Sequence, residues 1–222
     1  MNEELKVDIR PYRQEDKGSV RDIAVDTAFF GNSGEIFLPD REVLGDMLTA
    51  YYLDYEPESV FVAEQDSQVV GYIMGCVDTV KSHSVIDKNI MPGIIRKGLL
   101  RGLLFKSRTL SFAFFSLRSL IRREFRRPDF SQEYPAHFHI NIADGFRGKG
   151  LGRKLLDAFC FYLENKNIRG VCAWTFSEGG KKLFSSAGFS LLYNQKVTYF
   201  DYLLRKELFL NCWGKKLGGA KC

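Results

Sequence analysis

The sequence predicts a single α/β (α+β) domain over residues 1–222, with a mixed, mostly antiparallel sheet of about six to seven strands, a central parallel βαβ unit and helices on both faces. Three observations predict this class. Two apolar runs flank a short polar turn at 65–67, which is typical of a hairpin. A strand, a glycine-rich turn, a helix and a strand follow one another between 136 and 176, and parallel strands need such a crossover. Two further apolar runs predict a final hairpin.

Hydrophobic periodicity places the individual elements. Helical spacing follows the first strand, and Asp40 is a suitable N-cap for the second helix. In the crossover helix, Leu151, Leu155, Phe159 and Leu163 recur every four residues. The predicted strands are 6–10, 59–64, 68–80, 136–143, 170–176, 189–193 and 197–204, and the predicted helices are 14–30, 40–52, 150–166 and 178–187.

The composition is that of an ordinary folded domain, with 45% hydrophobic and 27% charged residues in 222. The five cysteines are scattered and never form a CxxC pair, which argues against a disulfide framework and a structural zinc site. We therefore expect no metal site. The polar N-terminus lacks the pattern of a secretory signal, so a cytoplasmic location is expected.

Positive charge is concentrated in one segment, at about 81–131. It holds twelve Lys/Arg against three Asp/Glu, a balance of +9, whereas the whole chain carries +5. Apolar residues mix with these cations, but the longest uncharged run, 109–117, is far shorter than the roughly 20 residues of a membrane span. We interpret the segment as a basic, helical insertion.

Three roles remain open for this insertion. It can be a helix pair packed on the domain, or residues 94–127 can form a homodimer contact or lie on an anionic membrane surface. No nucleic-acid-binding motif accompanies the charge, so no nucleic acid partner is expected.

The most informative motif is FRGKGLGRK at 146–154, between a strand and a helix. Its glycines let a ligand approach the backbone N–H groups that open the helix, where the helix dipole favours an anion. Four cations at the same helix N-terminus would repel the dipole, so an anionic ligand is expected. The patterns GxGxxG and GxxxxGK[ST] are both absent, which disfavours nucleotide dehydrogenases and P-loop NTPases. The predicted ligand-binding residues are Arg147, Gly148, Lys149, Gly150, Leu151, Gly152 and Arg153.

The run Arg147-Gly-Lys-Gly150-Leu-Gly152 resembles the (Arg/Gln)-x-x-Gly-x-(Gly/Ala) motif of the GCN5-related N-acetyltransferases (GNAT). The resemblance implies the GNAT fold, acetyl-CoA as cosubstrate with its pyrophosphate on this motif, and a small-molecule or peptide acceptor with a primary amine. It also implies that a backbone N–H near Ile142 or Ala143 holds the thioester oxygen. The segments PESVFVAE at 57–64, VVGY at 69–72 and YPAHFHI at 134–140 resemble bacterial relatives of the acetyltransferase-like domain of O-GlcNAcase.

His137 and His139 are the candidate bases, because a two-residue period puts them on one face of a strand and imidazole titrates near neutral pH. Packing beneath the cofactor is the alternative role for both. Glu133 and Asp144, at the ends of the strand, are further candidates.

Three positions depart from the family pattern, and one of them is Gly180, which replaces a small alanine. The usual tyrosine acid is replaced by Phe184, which cannot donate a proton, so Tyr193 or an ordered water would have to serve. Ser177 replaces an asparagine that contacts the pantetheine arm. The alternative function is accordingly a catalytically weak or inactive CoA-binding module whose insertion contacts a membrane or protein.

The resemblance also suggests an aromatic acceptor pocket, with core packing as the alternative role for its members. These residues are Phe29, Phe30, Tyr51, Tyr52, Tyr193 and Tyr199.

Overall fold

One sheet organises the chain in a computed structural model that describes residues 7–204 and 206–218. Within these residues the sheet has seven strands in the order β1-β2-β3-β4-β5-β7-β6. Only the β4–β5 pair is parallel. The strands are β1 (Asp8–Pro11), β2 (Val60–Gln65), β3 (Gln68–Cys76), β4 (Ala136–Ile142), β5 (Gly170–Thr175), β6 (Ser190–Val197) and β7 (Leu208–Lys216). The predicted fold class is confirmed.

Helices cover both faces of the sheet. On one face, α6 packs its apolar stripe on Ala136 and Phe138 of β4, and α7 joins the same core through Phe184. On the other face, α1 and α2 pack on the side chains of β2 and β3. The helices are α1 (Lys17–Thr27), α2 (Arg41–Asp54), α3 (Thr79–Val85), α4 (Met91–Leu100), α5 (Ser107–Ile121), α6 (Leu151–Asn165) and α7 (Glu178–Ser186).

Local signals in the sequence explain several boundaries. Asp66 and Ser67 both have positive φ, which gives the tight β2–β3 hairpin the twist that such turns need. Asp40 accepts a hydrogen bond from the Val43 N–H and caps α2 as predicted. β3 ends earlier than predicted, at Cys76, because Asp78 caps α3 through the Lys81 N–H.

The predicted final hairpin is wrong in its second strand. β6 pairs with β7, at Leu208–Lys216, and residues 198–204 form the connection between them. Tyr199 and Phe200 fill this connection with aromatic packing against Phe30 and other rings, which is why it has the apolar content of a strand. The buried positions Leu208, Leu210 and Cys212 alternate along β7 as one face of a strand requires.

The basic insertion forms three helices, α3, α4 and α5, with a π-helical stretch (Ile86–Ile90) before α4. Its inner side packs on α2 and on the β6–β7 connection through Ile94, Leu103 and Phe112. At its end, Glu124 is buried and accepts hydrogen bonds from the N–H and hydroxyl of Thr198. No helix in the described part of the chain is long and apolar enough to cross a membrane.

Candidate functional site

The candidate site lies where β4 and β5 separate. The two strands pair only at Ala136–Val171 and His137–Cys172, and beyond this point they diverge. β4 stays paired with β3 up to Ile142. A gap therefore opens between β4 and β5 on the side where α6 begins.

The loop from β4 to α6 forms a cradle of free backbone amides, the element that the glycine motif predicts. Gly148 and Gly150 have φ of +77° and +78°, and a Cβ on either glycine would meet no atom within 4 Å. In the described structure, the N–H groups of Gly148, Lys149 and Gly150 donate to no protein acceptor. The N–H groups of Leu151 and Gly152 add to this set, whereas those of Arg153 and Lys154 donate to the Gly150 carbonyl. Free N–H groups at a helix N-terminus suit an anionic group such as a phosphate.

Arg147 holds the mouth of this cradle. Its Nε donates to the Ile142 carbonyl at 3.1 Å, and its Nη2 donates to the Gly31 carbonyl at 3.0 Å. Its Nη1 lies 3.8 Å from the exposed Asp144 carboxylate, and the guanidinium remains partly exposed next to the free amides. Arg153 makes a shorter ion pair, with Asp157 at 2.8 Å, and donates to the Ser186 carbonyl at 3.2 Å. Lys149 lies over the ring of Phe146.

The two predicted backbone donors point in opposite directions. The Ala143 N–H donates to the Val70 carbonyl of β3 at 2.9 Å, so it is already engaged. Alternation along a strand then turns the Ile142 N–H toward the gap. Its carbonyl, which accepts from Arg147, faces the same way. Of the pair, only Ile142 offers a donor to a ligand in the gap.

His137 is fully engaged with its neighbours. Its Nε2 lies 2.7 Å from the Tyr52 hydroxyl, and its Nδ1 lies 3.0 Å from Thr79 Oγ1 and 3.1 Å from Cys76 Sγ. Burial lowers the pKa of His137 to about 3, with a further contribution from the nearby His139 and His83 rings. His137 is therefore a neutral ring that ties α2, β3 and α3 to β4.

His139 has no hydrogen-bond partner among the described residues, and it is exposed to solvent. The Tyr52 ring stands edge-on to it at 5.5 Å. Neighbouring protein atoms partly desolvate the imidazole, which lowers the pKa of His139 below its usual 6.5. The result is a neutral, accessible imidazole that can accept a proton.

Three further residues lie on this face of the gap, Asn141, Trp174 and Arg127, and none of them is among the predicted site residues. Asn141 follows His139 on the same face and donates through Nδ2 to the Tyr72 hydroxyl at 2.7 Å, which leaves its carbonyl oxygen available. Trp174 lies on β5 at the level of His139, and the Arg127 guanidinium covers its ring at 4.9 Å. Because side chains on a strand alternate with a period of two residues, the sequence could have placed Asn141 on the same face as His139.

The remaining predicted catalytic and cofactor residues lie elsewhere. Phe184 is buried against Phe138 and Phe189 in the core. Ser177 is the N-cap of α7 and accepts from the Gly180 N–H at 3.0 Å. Tyr193 packs on Trp174 from β6, two strand spacings beyond β5, or about 10 Å, so the structure does not bring it to β4.

The aromatic residues predicted to line an acceptor pocket divide into two groups. Phe29, Tyr51, Tyr52 and Tyr199 are buried in the core. Phe30 is half-buried and lines a cavity of about 470 Å³ with Phe176 and Ser177 at the outer end of β5. A second cavity, of about 550 Å³, lies at the opposite edge around Arg10 and is remote from the gap. Among the residues described, no three His, Cys, Asp or Glu side chains are grouped to hold a metal ion.

Comparison with solved structures assigns this architecture to a known fold. No family model matches the sequence, and no curated protein matches it. A protein named SsHAT superposes with a TM-score of 0.70 at 22% identity, over 96% of this chain and 99% of its own. YncA from Salmonella typhimurium is assigned to the acetyltransferases and was solved with its cofactor acetyl-CoA. It superposes with a TM-score of 0.56 at 15% identity, over 98% of this chain and 97% of its own.

The polyamine N-acetyltransferase of Drosophila melanogaster, which forms N-acetylagmatine, gives a TM-score of 0.59 at 12% identity over 96% of this chain and 100% of its own. These identities are low, so the comparison establishes the fold. The narrower resemblance to relatives of the O-GlcNAcase domain stays a prediction. The chain therefore has the fold of the GCN5-related N-acetyltransferases.

Proposed function

We propose that this protein is an N-acetyltransferase that transfers the acetyl group of acetyl-CoA to a primary amine. The observation that carries the proposal is the run of unpaired amides at the start of α6, directly beside the gap between β4 and β5. Acetyl-CoA has an anionic diphosphate for the amides and a narrow pantetheine arm for the gap. Arg147 would add a positive charge at the diphosphate.

The Ile142 N–H would stabilise the thioester oxygen. This oxygen gains negative charge as the amine attacks, and a fixed backbone donor stabilises that charge without reorganisation. The N–H and the carbonyl of a strand residue point to the same side of the strand. The Ile142 carbonyl accepts from Arg147 at the mouth of the gap, so the Ile142 N–H also faces the gap, which supports this role.

His139 would accept the proton of the attacking amine. As the amine nitrogen bonds to the carbonyl carbon, its N–H becomes strongly acidic, so a weakly basic imidazole is sufficient. The carbon–sulfur bond then breaks and the electron pair leaves with the sulfur. His139 returns its proton to solvent, to which its ring is exposed. His137 supports the site from beneath through Tyr52.

The thiol leaves without a tyrosine acid in this proposal. Phe184 fills the core instead, and Tyr193 lies on the far side of β5. A thiol with a pKa of about 8.5 leaves acceptably as the thiolate and takes a proton from water. The four cysteines at described positions are free thiols, which supports a reducing, cytoplasmic location as part of the same proposal.

The buried Phe184 also supports a second candidate, a CoA-binding module with little or no turnover. One experiment separates the two. Free thiol is measured while acetyl-CoA is mixed with a panel of primary amines, including polyamines, amino sugars and peptides. Turnover that depends on one amine supports the enzyme. Tight acetyl-CoA binding with no turnover on any amine would support the binding module, and failure to bind would remove both.

A further inference from the structure

Helix α5 turns its apolar stripe away from the protein. Leu110, Phe114, Leu117 and Ile121 recur every three or four residues, so they share one face, and all four are exposed. The opposite face carries the buried Ser119 and the packed Phe112. An ordinary surface helix has the reverse arrangement, so the stripe needs a partner outside the described chain.

The link between α4 and α5 extends this apolar surface. Phe105 is 91% exposed and Leu100 is 82% exposed, values that are extreme for side chains of this size. Ile95, Leu99 and Leu104 are also more than half exposed. We call the following exposed apolar residues the α4–α5 apolar surface: Ile95, Leu99, Leu100, Leu104, Phe105, Leu110, Phe114, Leu117, Leu120 and Ile121.

The charge around this surface has one sign. Residues 94–127 contain ten Lys/Arg and a single acid, Glu124. Glu124 is buried and bonded to Thr198, so it does not offset the cations at the surface. Lys97 and Arg101 pair with acids of α2 and its cap. The exposed side chains of Arg96, Arg122, Arg123 and Arg126 make no ion pair within the described structure.

We propose that the α4–α5 apolar surface docks the protein on an anionic phospholipid membrane. Exposed Leu and Phe side chains on one helix face, flanked by Arg and Lys, match what a helix needs to lie in the interface of such a membrane. The apolar side chains would enter the boundary between headgroups and acyl chains. The arginines would meet lipid phosphates, and each cation near the surface strengthens binding about fivefold.

The same charge argues against a second copy of the chain as the occupant. In a twofold dimer, the same patch would face itself, so the exposed arginines of one copy, which make no ion pair in the described structure, would meet those of the other. This repulsion opposes burial of the apolar residues. An anionic bilayer complements both features of this surface, because its acyl chains accept the apolar side chains and its headgroups pair with the arginines.

The test is flotation of the full-length protein with lipid vesicles. One set is pure phosphatidylcholine, and in the other about a third of the lipid is phosphatidylglycerol. We expect binding to the anionic vesicles only, weakening as NaCl is raised. The variant Phe114→Gln with Leu117→Gln should lose most binding, whereas Phe161→Gln, an exposed apolar residue on α6, should not. Arg122→Gln and Arg126→Gln should each weaken binding about fivefold and Arg169→Gln should not.

Acetyl-CoA binding is measured on the same samples. A protein that fails to bind vesicles can then be distinguished from one that fails to bind acetyl-CoA. Wild-type protein that does not float with anionic vesicles would overturn the proposal, and so would equal binding to both vesicle types. A dimer in solution that dissociates in the Phe114→Gln, Leu117→Gln variant would assign the surface to a second copy and would also overturn it. The lipid and salt dependence of the wild type decides the question even if a variant fails to fold.

Discussion

The rings of His137 and His139 lie 5.9 Å apart and nearly perpendicular, yet only His137 is hydrogen-bonded. Both side chains point to the same face of β4 because the strand period is two. Their environments separate their roles. His137 is enclosed by Tyr52, Thr79 and Cys76, and His139 is exposed to solvent.

Replacing His139 should therefore affect turnover more than stability. We expect His139→Gln to lower kcat by about 100-fold or more, the usual contribution of a positioned base. The midpoint of urea unfolding should hardly change, because the ring has no hydrogen-bond partner to lose. His83→Gln is the matched control, since that ring is exposed outside the gap. Equal kcat in both variants would show that His139 is not the base.

The pH dependence of kcat should also depend on the pKa of His139. Partial desolvation lowers this pKa below 6.5, so the imidazole is neutral at pH 7 and becomes protonated only in more acidic solution. We expect kcat at saturating amine to be lost as the pH falls, with a midpoint below 6.5. This acid limb should be missing from the residual activity of His139→Gln. A midpoint above 6.5 would contradict the assignment.

His137 should contribute to stability in a pH-dependent way. Its pKa is about 3 in the folded protein and near 6.5 when unfolded, so between these values only the unfolded chain binds the proton. Stability must then fall as the pH drops below 6.5, by about 2 kcal/mol at pH 5 from this residue alone.

The measurement compares urea unfolding of wild type and His137→Gln at pH 7 and pH 5. At pH 7 the variant should be less stable by about 1–3 kcal/mol, because the buried Tyr52 hydroxyl loses its partner. The difference should shrink at pH 5, since the variant lacks the titrating group. A constant difference would show that His137 does not titrate as its burial indicates.

The two arginines of the glycine motif should differ in their effect on acetyl-CoA. Arg147 lies in the loop of free amides and makes only a long contact with Asp144, at 3.8 Å, whereas Arg153 pairs closely with Asp157 at 2.8 Å. Arg147→Ala should raise the Kd for acetyl-CoA about tenfold, as expected for one charge-assisted hydrogen bond. Arg153→Ala should have a smaller effect. Calorimetric titrations that rank the two variants in the opposite order would contradict this picture.

Much of the fold is predictable because its signals are local. The β2–β3 turn, the Asp40 cap and the glycine loop each depend on a few adjacent residues, and the structure contains all three elements. The second strand of the last hairpin was misplaced because the aromatic residues 198–204 have the composition of a strand but pack as a connection.

Other features depend on contacts between distant residues. His137 and His139 are equivalent in the sequence, and they differ because Tyr52, 85 residues before His137 in the chain, bonds to only one of them. Helical spacing identifies the stripe on α5, but it does not say whether the stripe faces the core or solvent. In the structure it faces solvent.

The central claim is that the amides at the start of α6 bind the diphosphate of coenzyme A. It is tested most directly by calorimetric titration of acetyl-CoA into Gly150→Trp and its control Gly188→Trp. Both glycines are exposed, both have positive φ near 80°, and neither would place a Cβ within 4 Å of another atom, so the backbone strain is matched. We predict tight binding for the wild type and Gly188→Trp and none for Gly150→Trp. Equal affinity of the two variants for acetyl-CoA, or no binding by the wild type, would contradict the claim.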